Sequence, residues 1–270
     1  QTLESLIAYG GFKKIFIFDN GSTDNTLQLA RCYCSDTIEV GVLDEPFSDN
    51  LKFINVYRYK ELLADGDWFA ILDADEIYQE QLLPLIQIAE SEDSNYIESR
   101  SAQFYFTEQE SSYEFDPTIP AALQHPYYLL NYGEPRVFRY SEKSVLTSEH
   151  VKQRHSALVP CSRQLLIYHC QFRSAKQLQR RLDIRLANNK HSNNWGHINS
   201  AKWQDYIVPA KYLHKFDGHV KNGLPLNANL YKIKNNSAYT MANLNWLKKH
   251  NHLSSDQLEF FSATRLQRLI

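Results

Sequence analysis

The segment from Trp68 to Glu76 constrains the fold most, because an apolar run of strand length ends there in Asp73, Asp75 and Glu76. Short apolar runs rich in aromatic and branched residues are typical of strands buried on both faces of a parallel sheet. An unpaired carboxylate is costly to bury, so we expect all three acids at the carboxyl end of that strand, where open α/β sheets bind ligands. The alternative is an acidic turn that begins a helix over 79–92.

Asp73 and Asp75 are two residues apart, so an extended backbone directs both side chains to the same side. Two hard oxygen ligands suit Mg²⁺ or Mn²⁺, and a cation held there would attract a substrate that carries phosphate.

A second strand pattern, over residues 14–18, ends in the polar turn Asp19-Asn20-Gly21-Ser22-Thr23-Asp24. A strand, a Gly-containing turn and a helix over 25–33 form a geometry that binds phosphates or nucleotides at the helix N-terminus. The alternative is structural, with Ser22 or Thr23 capping the helix and Asp19 holding the turn.

The order of the predicted elements indicates the fold class. Helices and strands alternate over 2–9, 14–18, 25–33, 36–42, 50–64, 68–72 and 79–92. This alternation predicts an α/β fold with a mostly parallel sheet flanked by helices. Further strands are predicted over 96–107, 134–140 and 163–169. Residues 108–133 have an irregular pattern, which we interpret as a functional flap or an acceptor loop.

From residue 173 the pattern becomes helical, with predicted helices over 175–189, 201–216 and 254–270. We therefore divide the chain into a domain over 1–172 and a helical C-terminal extension over 173–270. No linker-like stretch separates the two parts, so we expect the extension to pack on the domain.

The charge distribution is lopsided, since residues 1–150 hold 10 Lys and Arg against 26 Asp and Glu, whereas residues 151–270 hold 19 against 5. An acidic first half would repel nucleic acid, so no nucleic-acid partner is expected. The basic half could close over a diphosphate, make peripheral contact with anionic lipid at the inner face of a membrane, or simply pack on the acidic half.

The four cysteines show no paired metal spacing and are expected to be reduced. Nothing resembles a signal peptide or a membrane-spanning segment, so we expect a cytoplasmic location.

Three segments together give the chain a family resemblance. Residues 6–9 with 15–24 resemble a helix, strand and D-N-G-S-T-D turn, and Leu72-Asp73-Ala74-Asp75-Glu76 resembles a D-x-D-E metal motif. Residues 168–174 resemble an H-Y-x-x-R-S stretch with Cys170 in place of the aromatic. In these respects the chain resembles the GT-A glycosyltransferases of the family 2 and family 92-like group over roughly residues 3–180. That group begins with a strand ahead of the first helix, and this strand is expected to be missing from the chain.

The resemblance implies a GT-A-like, Rossmann-related fold, a nucleotide-sugar donor that carries UDP, and a glycan or glycolipid acceptor. It implies that Asp19 accepts from the base, that Asp73 binds the ribose close to the metal, and that Asp75 and His169 ligate Mn²⁺ or Mg²⁺. The implied metal set is Asp73, Asp75 and His169. The implied donor-binding set is Asp19, Asn20, Gly21, Ser22, Asp24, Asp73, Ala74, Arg136 and Arg139.

A cation or an arginine is needed because cleavage of a sugar–phosphate bond builds negative charge on the diphosphate. Inverting transfer also needs a carboxylate base near the acceptor hydroxyl, and Glu134 and Glu149 are the candidates. His150 and His155 could line the same cleft. Tyr127, Tyr128 and Tyr132 could stack on sugar rings, although ordinary packing explains them equally well.

Two other functions compete with glycosyl transfer. A sugar nucleotidyltransferase would make the activated sugar but usually carries an early Gly-rich basic loop, which this chain lacks. A catalytically inactive GT-A-like binding module would keep the fold without the chemistry. Residues 69–76 could also be the strand and Asp-Glu element of an ATPase, but that interpretation needs a G-x-x-x-x-G-K-[ST] loop, and the chain has none.

Overall fold

The structure is a computed structural model that describes residues 1–9, 11–45, 48, 50–110, 114–130, 134–143, 147, 158–189, 200–210 and 213–220. The helices are α1 (Thr2–Tyr9), α2 (Thr26–Arg31), α3 (Leu51–Arg58), α4 (Leu82–Ser91), α5 (Ala121–Gln124) and α6 (Ala175–Asn189). The strands are β1 (Ile15–Asp19), β2 (Ile38–Val42), β3 (Trp68–Ala70), β4 (Glu76–Tyr78), β5 (Tyr96–Phe104), β6 (Tyr127–Leu130), β7 (Glu134–Arg139), β8 (Leu165–His169) and β9 (His214–Lys215). Short 3-10 turns lie at Lys60–Leu62 and Trp203–Tyr206.

These strands form two sheets in the described part of the chain. Strands β1 and β2 pair in parallel. In the larger sheet β5 is central, with β8 parallel to it on one edge and with β7 and β6 antiparallel to successive parts of the other edge. Strand β4 extends the sheet beyond β8, β3 pairs with β7, and β9 pairs with β6, all antiparallel. Helices flank this sheet, which confirms the predicted α/β class.

The prediction of a mostly parallel sheet is wrong, because antiparallel pairs outnumber parallel ones. Only the β1–β2 and β5–β8 pairs are parallel among the described strands. The prediction assumed that the later strands, like the early ones, are joined by crossover helices, which produce parallel pairs. The later strands β6, β7 and β9 follow loops or short turns instead, and they pair against their neighbours in the antiparallel direction.

Helix α4 covers one face of the sheet through Leu82, Leu85 and Ala89, which recur at helical spacing and are buried against β5 and β8. Helix α6 packs through Leu178 and Leu182 on Tyr105, Phe106 and Phe172. The periodicity of these apolar residues therefore determines which face each helix buries.

Several predicted boundaries change. The strand expected over 68–72 ends at Ala70, and the chain turns before β4 begins at Glu76. The irregular region over 108–133 contains α5 and β6. The helix expected over 201–216 is wrong in its described residues, because the chain forms a 3-10 turn and then β9, which gains its backbone partners from the distant strand β6. The helix expected over 254–270 lies outside the described residues.

Candidate functional site

The acidic segment 73–76 is a tight turn between β3 and β4. The backbone N–H of Glu76 donates to the carbonyl of Asp73 at 3.0 Å, and the Asp73 N–H donates to the Glu76 carboxylate at 3.1 Å. Helix α1 secures the turn, since the Thr2 hydroxyl donates to the Ala74 carbonyl at 2.7 Å. The Cys170 N–H donates to the Asp75 carbonyl at 2.8 Å. The turn is thus held to the end of β8, beside His169.

Glu76 corrects one expectation about this motif. All three acids were expected beyond the end of the strand, yet the Glu76 side chain is 1% exposed and begins β4. The Arg136 guanidinium makes this burial possible, because its Nη2 lies 2.5 Å from Glu76 Oε1. Burial raises the pKa of Glu76 above its usual value, although the charge of Arg136 opposes that shift. A buried carboxylate with a charged hydrogen-bond partner escapes the penalty that an isolated one would incur.

Asp73 faces two cations. Lys52 Nζ, on α3, lies 2.5 Å from Asp73 Oδ1, and Arg136 Nη2 lies 3.5 Å from Asp73 Oδ2. Burial alone would raise the pKa of Asp73, but the charges of Lys52 and Arg136 outweigh it and hold that pKa below its usual value. Asp73 is therefore an ionised carboxylate whose oxygens are already bound by protein cations.

Asp75 meets His169, as the sequence led us to expect, with 3.4 Å between Asp75 Oδ1 and His169 Nε2. Arg181, on α6, approaches the other oxygen of Asp75 at 3.3 Å and donates to the Gln171 carbonyl at 2.9 Å. Burial would raise the pKa of Asp75, but the hydrogen bond and charge of His169 and the charge of Arg181 depress it strongly. The same partnership raises the pKa of His169 despite the opposing effect of burial.

The spacing of the Asp75 and His169 donor atoms is compatible with two ligands of one divalent cation, as it is with the ion pair itself. Two ligands about 2.1 Å from an octahedral or tetrahedral ion lie about 3.0–3.4 Å apart, which matches their separation. Asp73 does not join them, since its oxygens face Lys52 and Arg136, and the described residues contain no group of three or more His, Cys, Asp or Glu placed to hold a metal. The three-residue metal set is therefore reduced here to a pair, and its role stays a prediction.

The turn after β1 forms a second polar element. Asp19 is 7% exposed, its Oδ2 accepts from the Ser22 N–H at 3.1 Å, and its Oδ1 is buried with no hydrogen-bond partner in the described part of the chain. Gly21 has φ +82, a left-handed conformation that favours glycine. Asp24 accepts from the Thr26 N–H and hydroxyl at 3.0 and 2.6 Å and so supports the start of α2. Asp19 thus offers one acceptor oxygen that the described residues leave without a hydrogen bond.

Helix α6 connects this turn with the acidic segment. The Arg180 guanidinium donates to the Thr23 hydroxyl at 2.7 Å, while the adjacent Arg181 contacts Asp75. Hydrogen bonds from Thr26 lower the pKa of Asp24, and the charge of Arg180 lowers it further. One helix therefore brings two arginines to the two polar elements that the sequence analysis singled out.

The other predicted residues lie either beside the acidic turn or away from it. Glu134 is 46% exposed and lies 2.8 Å from Arg136, next to Asp73 and Glu76. Arg139 lies at the opposite end of β7, about 10 Å away along the strand, where it is 3.9 Å from Asp93. The structure thus brings Arg136 to the site and places Arg139 outside it.

Of the tyrosines, Tyr128 is buried in the core beside Phe104, and the hydroxyl of Tyr127 donates to Gln109 at 2.9 Å. Glu149, His150, His155 and Tyr132 lie outside the described residues.

Two cations escaped the sequence analysis. Arg181 carried a usable signal, because it lies between Leu178 and Leu182 on the packed face of α6, where a charge requires a carboxylate partner. Lys52 carried none, since it is one of several polar residues on α3 and its partner Asp73 is distant in sequence.

Residues 1–145 match the family model described as Glycosyl transferase family 2, which is more than half of the chain. No curated protein matches the chain. None of the described helices combines the length and the apolar character needed to cross a membrane. The cytoplasmic location and the membrane contact stay predictions.

Proposed function

Since the chain belongs to glycosyl transferase family 2, we propose that it moves a sugar from a UDP-sugar donor to a glycan or glycolipid acceptor with the help of Mn²⁺ or Mg²⁺. The observation that carries the finer part of this proposal is the meeting of Asp75 with His169, flanked by Arg181. Asp75 and His169 lie on the turn and strand that the family resemblance singled out.

Asp19 would bind the base of the donor. Its buried Oδ1 is an acceptor without a partner in the described residues, and a base N–H can supply the missing hydrogen bond. The Ser22 N–H fixes the other carboxylate oxygen, so the free oxygen is held in one orientation.

Asp75 and His169 would hold the divalent cation, which supplies Lewis-acid stabilisation of the diphosphate leaving group. His169 must be neutral to act as a ligand, so cation binding is expected to release its proton. Arg181, which is paired with Asp75, places a fixed positive charge beside the proposed cation site.

Glu134 is the candidate base. Its carboxylate is exposed enough to meet an acceptor hydroxyl, and Arg136 fixes its position at 2.8 Å. An ionised carboxylate in that position can take the proton as the hydroxyl attacks the sugar, which would give inverting transfer.

The test incubates the protein with UDP-glucose, UDP-galactose, UDP-N-acetylglucosamine and GDP-mannose in Mn²⁺ and follows release of nucleoside diphosphate. We expect UDP from at least one UDP-sugar, with little release by Asp75→Asn and normal release by Asp93→Asn, which alters an exposed acid at the far end of β7. Synthesis of a UDP-sugar from UTP and a sugar 1-phosphate would support a nucleotidyltransferase instead. UDP binding without any turnover would support an inactive binding module.

A further inference from the structure

A pocket of about 430 Å³ lies between α6 and the 3-10 turn Trp203–Tyr206. Its volume falls within the range of about 300–1,000 Å³ that is typical of small-molecule sites, and it opens widely to the solvent. The lining residues are Ala175, Lys176, Gln179, Arg180, Asp183, Trp203 and Gln204. None of them has a role in the function proposed above.

The Gln179 side chain fixes the shape of this pocket. Its amide nitrogen donates to Asp183 Oδ1 at 2.8 Å and to the Ala201 carbonyl at 2.7 Å, while its oxygen accepts from the backbone N–H of Trp203 at 3.2 Å. The Trp203 ring packs edge-on against the buried Phe106, with 6.0 Å between ring centroids. The indole is therefore held in place as one wall of the pocket.

The charges of the pocket favour an anion. Lys176 and Arg180 are both exposed, and the Arg180 guanidinium, which donates to the Thr23 hydroxyl at 2.7 Å, lies close enough to Asp24 to lower the pKa of that carboxyl. The one acid of the lining, Asp183, already accepts from Gln179. Two cations next to a partly buried indole are suited to a sugar ring whose apolar face stacks on the aromatic and whose anionic substituent meets the cations.

The position of the pocket connects it with the candidate donor site. Residues 176, 179, 180 and 183 recur at helical spacing, so they share one face of α6. Arg180 lines the pocket and also reaches Thr23 of the turn after β1, and the next residue, Arg181, contacts Asp75 on the adjacent face of the helix. A ligand in the pocket would lie beside the groups assigned to the donor.

We propose that this pocket binds the acceptor and that the acceptor is a saccharide with an anionic substituent, either a carboxylate or a phosphate. The identification of the pocket's ligand as the acceptor rests on the proposed transfer function. The pocket's preference for anionic saccharides does not depend on it.

The test measures binding of methyl glucuronide, glucose 6-phosphate and the neutral methyl glucoside by calorimetry or by saturation-transfer NMR, with UDP and Mn²⁺ at saturation to occupy the donor site. At least one anionic saccharide should bind about tenfold more tightly than methyl glucoside, since charge-assisted hydrogen bonds are lost with the neutral one. Whichever anionic saccharide binds more tightly identifies the substituent as a carboxylate or a phosphate. Lys176→Gln and Arg180→Gln should each remove most of that preference, whereas Lys143→Gln, at an exposed lysine outside the pocket, should keep it.

Equal binding of charged and neutral saccharides, or no saturable binding of either anion, would overturn the inference. It would also be overturned if Lys176→Gln and Arg180→Gln weakened UDP binding and left saccharide binding unchanged, because the cations would then serve the donor phosphates. Failure of the proposed function looks different, since wild-type protein would then release no UDP from any donor while the saccharide preference could still be measured.

Discussion

The carboxylate of Glu76 and the guanidinium of Arg136 lie 2.5 Å apart, and the Glu76 side chain is almost completely buried. The same guanidinium contacts Glu134 at 2.8 Å and Asp73 at 3.5 Å. Arg136 thus joins strands β7 and β4 and balances acids that would otherwise repel one another. Removing one partner of a buried ion pair leaves an uncompensated charge, which is more costly than losing the pair as a whole.

Arg136→Met should therefore lower the free energy of unfolding by about 3–5 kcal/mol, measured by urea denaturation. The double variant Arg136→Met with Glu76→Gln should recover part of the loss, because it removes the orphaned charge. Arg139→Met is the matched control at the exposed end of the same strand, and its change should stay within about 0.5 kcal/mol. Equal losses at both arginines would contradict this account.

Asp19→Ala should weaken UDP binding about tenfold, because the base loses Oδ1 of Asp19, the acceptor oxygen that has no partner in the described residues. Calorimetric titration with UDP measures this directly. Asp36→Ala is the control, since Asp36 is exposed and precedes β2, at the opposite end of the β1–β2 pair from Asp19. Unchanged affinity in a folded Asp19→Ala protein would remove Asp19 from the site.

The buried imidazole of His125 predicts a pH dependence of stability. His125 is 4% exposed, stacks on Phe115, and its Nε2 lies 2.7 Å from the Arg173 carbonyl. Burial lowers its pKa below the usual value, despite the opposing effect of that carbonyl. As the pH falls through the unfolded pKa of about 6.5, the unfolded chain binds a proton that the folded protein resists, so stability decreases.

Urea denaturation at a series of pH values from about 7.5 to 5.5 checks this prediction. His125→Gln should flatten the decrease relative to wild type, whereas His219→Gln, at an exposed position, should leave the slope unchanged. The prediction fails if both variants keep the wild-type slope.

The four cysteines should fall into a reactive pair and an unreactive pair. Cys32 and Cys34 are exposed, whereas Cys161 and Cys170 are buried, and burial raises the pKa of Cys170 to about 12. Iodoacetamide at pH 8 should therefore modify Cys32 and Cys34 in the native protein and the other two only after unfolding, as peptide mass mapping can show. Rapid native modification of Cys170 would indicate that the segment just after β8 is less buried than described.

Local sequence pattern was sufficient to predict elements whose structure depends on residues close together in the chain. The bounds of α1 and α6 match the prediction, because apolar residues at helical spacing recur throughout both. The meeting of Asp75 with His169 followed from motif resemblance. Long-range pairing was not accessible in the same way, so β9 was predicted as helix, and its pairing with β6 depends on residues far away in the chain.

The interior position of Glu76 was missed for a related reason. A rule that excludes unpaired carboxylates from the core is correct, but it cannot say whether a partner arrives from elsewhere. Arg136 lies 60 residues further along the chain and supplies that partner. Lys52 reaches Asp73 in the same unforeseen way, from α3.

The most direct test of the account is calorimetric titration of UDP in Mn²⁺ and in chelator, with wild type, Asp75→Asn and the exposed control Asp93→Asn. If Asp75 and His169 hold a cation that also binds the diphosphate, each ligand must raise the affinity of the other by the same factor. We expect Mn²⁺ to increase the UDP affinity of wild type and Asp93→Asn at least about fivefold, and to have no such effect on Asp75→Asn. Equal UDP affinity of wild type with metal and with chelator, or an undiminished metal effect in Asp75→Asn, would contradict the account.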